Sequence, residues 1–306
     1  MLRLLIFTTS FLFFPVVAWS QPGNFLNIED LQRGIVEVQE TNHLVWEVSG
    51  PEMEKPTYIY GILKRVPGAH FFLPTELNAC VQACDKWLME INPYSLELDH
   101  LYRGSTPHDS TLSTFYKKKT LRRFEQYLTD STTILTQYQY QLRYPHALLA
   151  QQVLADYCLR RKTSYEPRDY EVYLYENIQK PFQSLEAEWS RTYSVEGLSA
   201  LEQADSLMSH WEKRGELDQR FQALLDAYRA GDLDAVEWLA MDAPNLGDNL
   251  SYMKASRVEN WLKALKWSLG KDCMLLAINA CLLPGEYGLL HRLRKAGLTV
   301  RPVLAE

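Results

Sequence analysis

Two glutamates stand where strand-like runs stop. Glu90 lies at the end of the run Trp87-Leu88-Met89-Glu90-Ile91, and Glu186 closes Lys180-Pro181-Phe182-Gln183-Ser184-Leu185. A lone strand-end glutamate is ordinarily exposed, but two could serve a hydrolase or hold a cation. A third candidate group is Cys281, beyond the apolar run Met274 to Ala280. Its thiol is a nucleophile only with a base and a lowered pKa, and no histidine neighbours it. The seven histidines (His43, His70, His100, His108, His146, His210 and His291) show no HExxH or similar ligand spacing. Tyr138, Tyr140 and Tyr144 could stack on a ligand, although tyrosines in a helical packing layer are commoner.

The elements that must position these groups are readable in outline. Residues 272–300 predict a strand, a turn at Leu283-Pro284-Gly285, a helix built on Leu289, Leu290 and Leu293 and ended by Gly297, and a second strand over Leu298 to Val303. The unbroken apolarity of Met274 to Ala280 predicts a strand buried on both faces in the middle of a sheet. Ligands collect where such strands end, which directs attention to Asn279 through Glu286. Leu44 to Val48 and Thr57 to Leu63 predict an antiparallel hairpin. A helix follows Leu73-Pro74, with Leu77, Cys80, Val81 and Cys84 on its inner face. Residues Leu96 to Lys162 predict a helical insertion, with helices over Tyr116 to Tyr127 and Tyr144 to Arg160. Further helices are expected over Asp169 to Ile178, Val195 to Arg214, Leu217 to Ala230, Leu233 to Met241 and Tyr252 to Leu269. The expected fold class is therefore α/β (α+β): a mixed central sheet flanked by helices.

Composition narrows the function. The chain has 306 residues, 46% of them apolar, enough for a substantial core. Residues 1–20 have the pattern of a secretory signal: a basic start, an apolar stretch, and Ala18-Trp19-Ser20 as a cleavage pattern before Gln21. The expectation is a secreted or periplasmic protein, cleaved after Ser20 and without stable membrane insertion. Residues 21–42 then form a polar lead-in, with an amphipathic piece at Ile28 to Val36, and a single domain occupies 43–306. With net charge −6 and no basic stripe beyond Lys117 to Arg123, nucleic acid is not an expected partner. Five cysteines cannot all pair internally. Cys273 and Cys281 flank one strand, roughly 26 Å apart at about 3.3 Å per residue, beyond the ~7 Å reach of a bridge. Cys80 or Cys84 with Cys158 is the pairing the sequence suggests, and a chain of this size does not require it.

In order, LVWEVSG, PTYIYGILK, LP, CDKWLMEINP, DYEVYL, KPFQSLE, YRAGDL, RVENW and AINACLLPGEYGLLHRLRKAGLTV resemble the segments of the TraB/GumN family, which includes the Tiki metalloproteases. The resemblance runs from His43 to Val303. It implies a Tiki-like architecture, a divalent metal such as manganese or cobalt, and two Gly-x-x-His motifs. Here those motifs read Gly61-Ile62-Leu63-Lys64 and Asn279-Ala280-Cys281-Leu282, with both histidines replaced. Lysine ammonium has no lone pair to offer a metal, and leucine cannot coordinate.

By the same resemblance, Glu90, Glu186 and Arg257 occupy family catalytic positions, and Gly61, Lys64, Asn279, Cys281 and Leu282 line the pocket. Val258 replaces the asparagine of the family's arginine-asparagine pair, and Glu171 stands where aspartate is favoured. The expectation is a degenerate metallopeptidase homologue with no cofactor, acting on a peptide or protein ligand or beside an intact family member. Lys64 is expected near Glu90, replacing the metal's charge. The alternative is an active hydrolase with non-standard ligands around Glu90 and Glu186.

Overall fold

The computed structural model describes residues 42–94, 111–130, 167–186, 199–241 and 247–304. The signal-like segment, the piece at Ile28 to Val36, Cys158, the three tyrosines at 138, 140 and 144, and the helix expected over Tyr144 to Arg160 lie outside them.

A six-stranded mixed sheet forms the centre. Its strands are β1 (Val45–Ser49), β2 (Thr57–Ile62), β4 (Lys86–Met89), β6 (Phe182–Ser184), β7 (Met274–Asn279) and β8 (Thr299–Pro302), in the spatial order β6-β4-β7-β2-β1-β8. β1 and β2 form the expected antiparallel hairpin, with Trp46 opposite Ile59. β7 lies in the interior, parallel to both β2 and β4, and all its residues but Asn279 are buried. That position explains its lack of alternation, since helices or loops cover both faces of a central parallel strand. β8 pairs antiparallel with β1. A separate two-stranded piece joins β3 (Arg65–Pro67) to β5 (Pro167–Asp169).

The helices among the described residues are α1 (Leu77–Ala83), α2 (Leu112–Phe115), α3 (Lys118–Asp130), α4 (Tyr170–Asn177), α5 (Ala200–Glu212), α6 (Arg214–Ala230), α7 (Leu233–Met241), α8 (Gly247–Leu265) and α9 (Leu289–Lys295). The start of α4 is set by Asp169, whose carboxylate accepts the amides of Glu171 and Val172. Ser199 and Glu202 form a capping box that opens α5. Gly231, at φ 73°, ends α6 in the left-handed conformation that glycine adopts without strain.

The core is rich in large rings. Trp46, Trp87, Trp261, Tyr60, Tyr170 and Tyr228 are fully buried. The Tyr228 hydroxyl donates to the carbonyl of Gly61 at 3.0 Å and lies 3.3 Å from that of Tyr60, so a buried polar atom is satisfied at the end of β2.

Candidate functional site

β6, β4, β7 and β2 run parallel, so their carboxyl ends emerge along one edge of the sheet. Glu90, Glu186, Asn279 and Gly61 all lie there, because each stands within two residues of the end of one of these strands. The β4–β6 ladder continues past the strands: Leu185 N donates to Met89 O and Glu186 N to Glu90 O, both at 2.9 Å. The two acids are thereby fixed as neighbours by backbone hydrogen bonds. Both are buried to within 6% of side-chain exposure, unlike the usual strand-end glutamate.

α8 crosses this edge. Lys254, Arg257 and Trp261 recur at spacings of three and four, placing them on one helix face. Arg257 bridges the acids: Nη2 donates to Glu90 Oε2 at 2.5 Å and Nε to Glu186 Oε1 at 2.8 Å. Trp261 Nε1 also donates to Glu186 Oε1, at 2.6 Å, and its ring lies 5.1 Å from the guanidinium carbon. The backbone N–H of Asn279 donates to Glu90 Oε1 at 2.7 Å, tying the end of β7 to the same carboxylate. Burial works against the charge on Arg257, but the Glu90 and Glu186 carboxylates outweigh it and its pKa is raised.

The loop after β7 is held by a second cation. Asn279 Oδ1 accepts from Cys281 N at 3.2 Å and caps the single turn Ala280–Leu282. The buried Lys254 ammonium donates to the carbonyls of Cys281 at 3.0 Å and Pro284 at 2.6 Å, and it pairs with Glu237 on α7. Gly288 closes the turn: a Cβ there would fall 1.8 Å from Pro284 O. Gly61 lies beneath the loop, where a Cβ would meet Leu283 Cδ1 at 2.9 Å.

Burial, with the nearby Glu90 carboxylate, pushes the Cys281 thiol up to about 12, so it is protonated and inert as a nucleophile at neutral pH. Leu282 is buried. The Lys64 ammonium lies 4.0 Å from Glu171 Oε2, and Arg257 donates a hydrogen bond to Glu90. The backbone explains this: the Lys64 carbonyl accepts from Tyr170 N at 2.9 Å, which sets residue 64 against the start of α4, where Glu171 lies.

Sequence reasoning did not single out Trp261, Lys254 or Glu237. The three-and-four spacing of Lys254 and Trp261 about Arg257 was the available signal for the first two; for Glu237, on a separate helix, there was none.

A divalent metal does not fit this donor set. Both Glu90 oxygens and Glu186 Oε1 accept hydrogen bonds from Arg257, Asn279 or Trp261. Residues 64 and 282 bring an ammonium and an aliphatic group, and among the described residues no group of three or more His, Cys, Asp or Glu side chains could hold a metal ion.

The TraB/PrgY/gumN family profile matches residues 44–302. The chain belongs to this family. The match spans the whole six-stranded sheet and every residue of the Arg257 cluster, so the strand-end acids lie within the family's shared region. No curated protein and no solved structure matches the chain.

Proposed function

We propose that this TraB/PrgY/gumN protein is exported and works by binding a peptide or protein ligand, without metal-dependent cleavage. The observation that carries the proposal is the Arg257 bridge across Glu90 and Glu186. A guanidinium seated between two carboxylates already supplies a fixed positive charge there, and with Asn279 N and Trp261 Nε1 it engages both Glu90 oxygens and Glu186 Oε1. The buried, protonated Cys281 offers no substitute nucleophile. The ligand class rests on the family resemblance to peptidases, and an intact family member is a second candidate partner.

The test is elemental analysis of the purified protein after exposure to manganese, cobalt and zinc and removal of excess ion. The expected result is no near-stoichiometric metal. Stoichiometric metal that is lost in Glu90→Gln would overturn the proposal in favour of a hydrolase using ligands around Glu90 and Glu186.

A further inference from the structure

Cys84 and Cys273 come from distant parts of the chain and meet at the opposite end of the sheet from the acids. Their sulfurs lie 3.5 Å apart across a sequence separation of 189 residues. Cys84 is the residue that ends α1, and Cys273 immediately precedes β7. The surrounding backbone fixes them in place. Asp85 N donates to Cys273 O at 2.8 Å, Cys273 N donates to Asp85 Oδ2 at 3.0 Å, and the β4–β7 register begins with Lys86 opposite Met274. Neighbouring strands lie about 4.8 Å apart, and a bridge tolerates Cα separations of roughly 4.4–6.8 Å. A residue offset by one from its cross-strand neighbour therefore remains within reach.

We infer that Cys84 and Cys273 form a disulfide when the protein folds against a disulfide oxidant such as oxidised glutathione. The Cys84 thiolate attacks one glutathione sulfur, breaking its S–S bond and expelling one glutathione thiolate. The Cys273 thiolate then attacks the Cys84 sulfur of the mixed disulfide and expels the second glutathione. The two protein thiols are oxidised, the glutathione disulfide is reduced, and the two thiol protons pass to the two expelled glutathione thiolates. Both cysteines are buried in the folded protein, and burial raises their pKa values. Closure consequently belongs to the folding chain, before β4 and β7 are fully packed, and the finished bond is shielded from exchange. In a reducing compartment the same pair stays as two thiols. Cys80 lies one helical turn from Cys84 and is also buried, so it is the competitor the experiment must separate.

The experiment refolds the full chain in a glutathione redox buffer, blocks free thiols by alkylation in denaturant, and maps the peptides by mass spectrometry. The expected result is a Cys84–Cys273 peptide pair with the loss of two hydrogen atoms. Cys80→Ser should retain this bond, whereas Cys84→Ser and Cys273→Ser should lose it. Reduction should lower the apparent melting temperature by roughly 5–10 °C. Alkylation of both cysteines in the oxidised wild-type protein would overturn the assignment, as would a cross-linked peptide joining Cys80 to Cys273 or Cys84 to Cys158. The wild-type peptide map decides the matter even if a serine variant fails to fold.

Discussion

Arg257 sets the electrostatics of the strand-end edge. Removing it leaves Glu90 and Glu186 side by side, buried, and without the guanidinium between them. Arg257→Ala should therefore destabilise the fold by about 3 kcal/mol in urea denaturation. Arg257→Lys should recover only part of that loss, because an ammonium cannot reproduce the forked contact to two carboxylates. Glu90 and Glu186 were legible in the sequence, since each ends a strand-like run. Arg257 was not legible from spacing or composition and came only from the family resemblance. The contact of Lys64 with Glu171 was not legible, because the Gly-x-x-His position of Lys64 says nothing about where the backbone goes next. The Lys64 carbonyl bonds to the start of α4, and its ammonium therefore lies against Glu171.

At the scale of elements, the loop after β7 depends on α7 and α8. Lys254→Met should cost about 3 kcal/mol, measured by the urea midpoint, because the carbonyls of Cys281 and Pro284 and the Glu237 carboxylate lose a shared donor. A second readout is local: amide exchange should quicken over residues 280–286 ahead of the rest of the sheet. The hairpin of β1 and β2, the buried central strand β7, and the sequence α9 then β8 were all readable, because alternation, unbroken apolarity and helical spacing are local signals. β3 and β5 were not. Each is a three-residue strand containing proline, and they pair across roughly a hundred positions of intervening sequence, so nothing within either segment announces the other. The Cys84–Cys273 contact escaped for the same reason. It follows from β4 lying beside β7, which is a property of strand order and not of either segment alone.

For the whole molecule, burial of acidic hydrogens predicts an alkaline limit to stability. Burial, aided by Glu76, pushes the Cys80 thiol up to about 11; burial raises Cys281 to about 12, with Glu90 contributing, and Tyr58 to about 12, with Glu47 contributing. These groups hold their protons more tightly in the folded protein than in the unfolded chain. Their contribution is complete below about pH 9 and is lost as pH rises through 11 to 12. The urea midpoint should accordingly fall over that window in reduced protein, and Cys80→Ala should flatten the part between pH 9 and 11. The strand order carries a further consequence for the route by which the fold is reached. β2 finds its second neighbour only in β7, and β1 finds its second neighbour only in β8, both near the far end of the domain. A nascent chain leaving the ribosome thus exposes a hairpin with both flanks open until residues 274–302 have followed. Such high contact order slows closure, and a thread drawn through a pore during that interval would meet no finished sheet to pull apart.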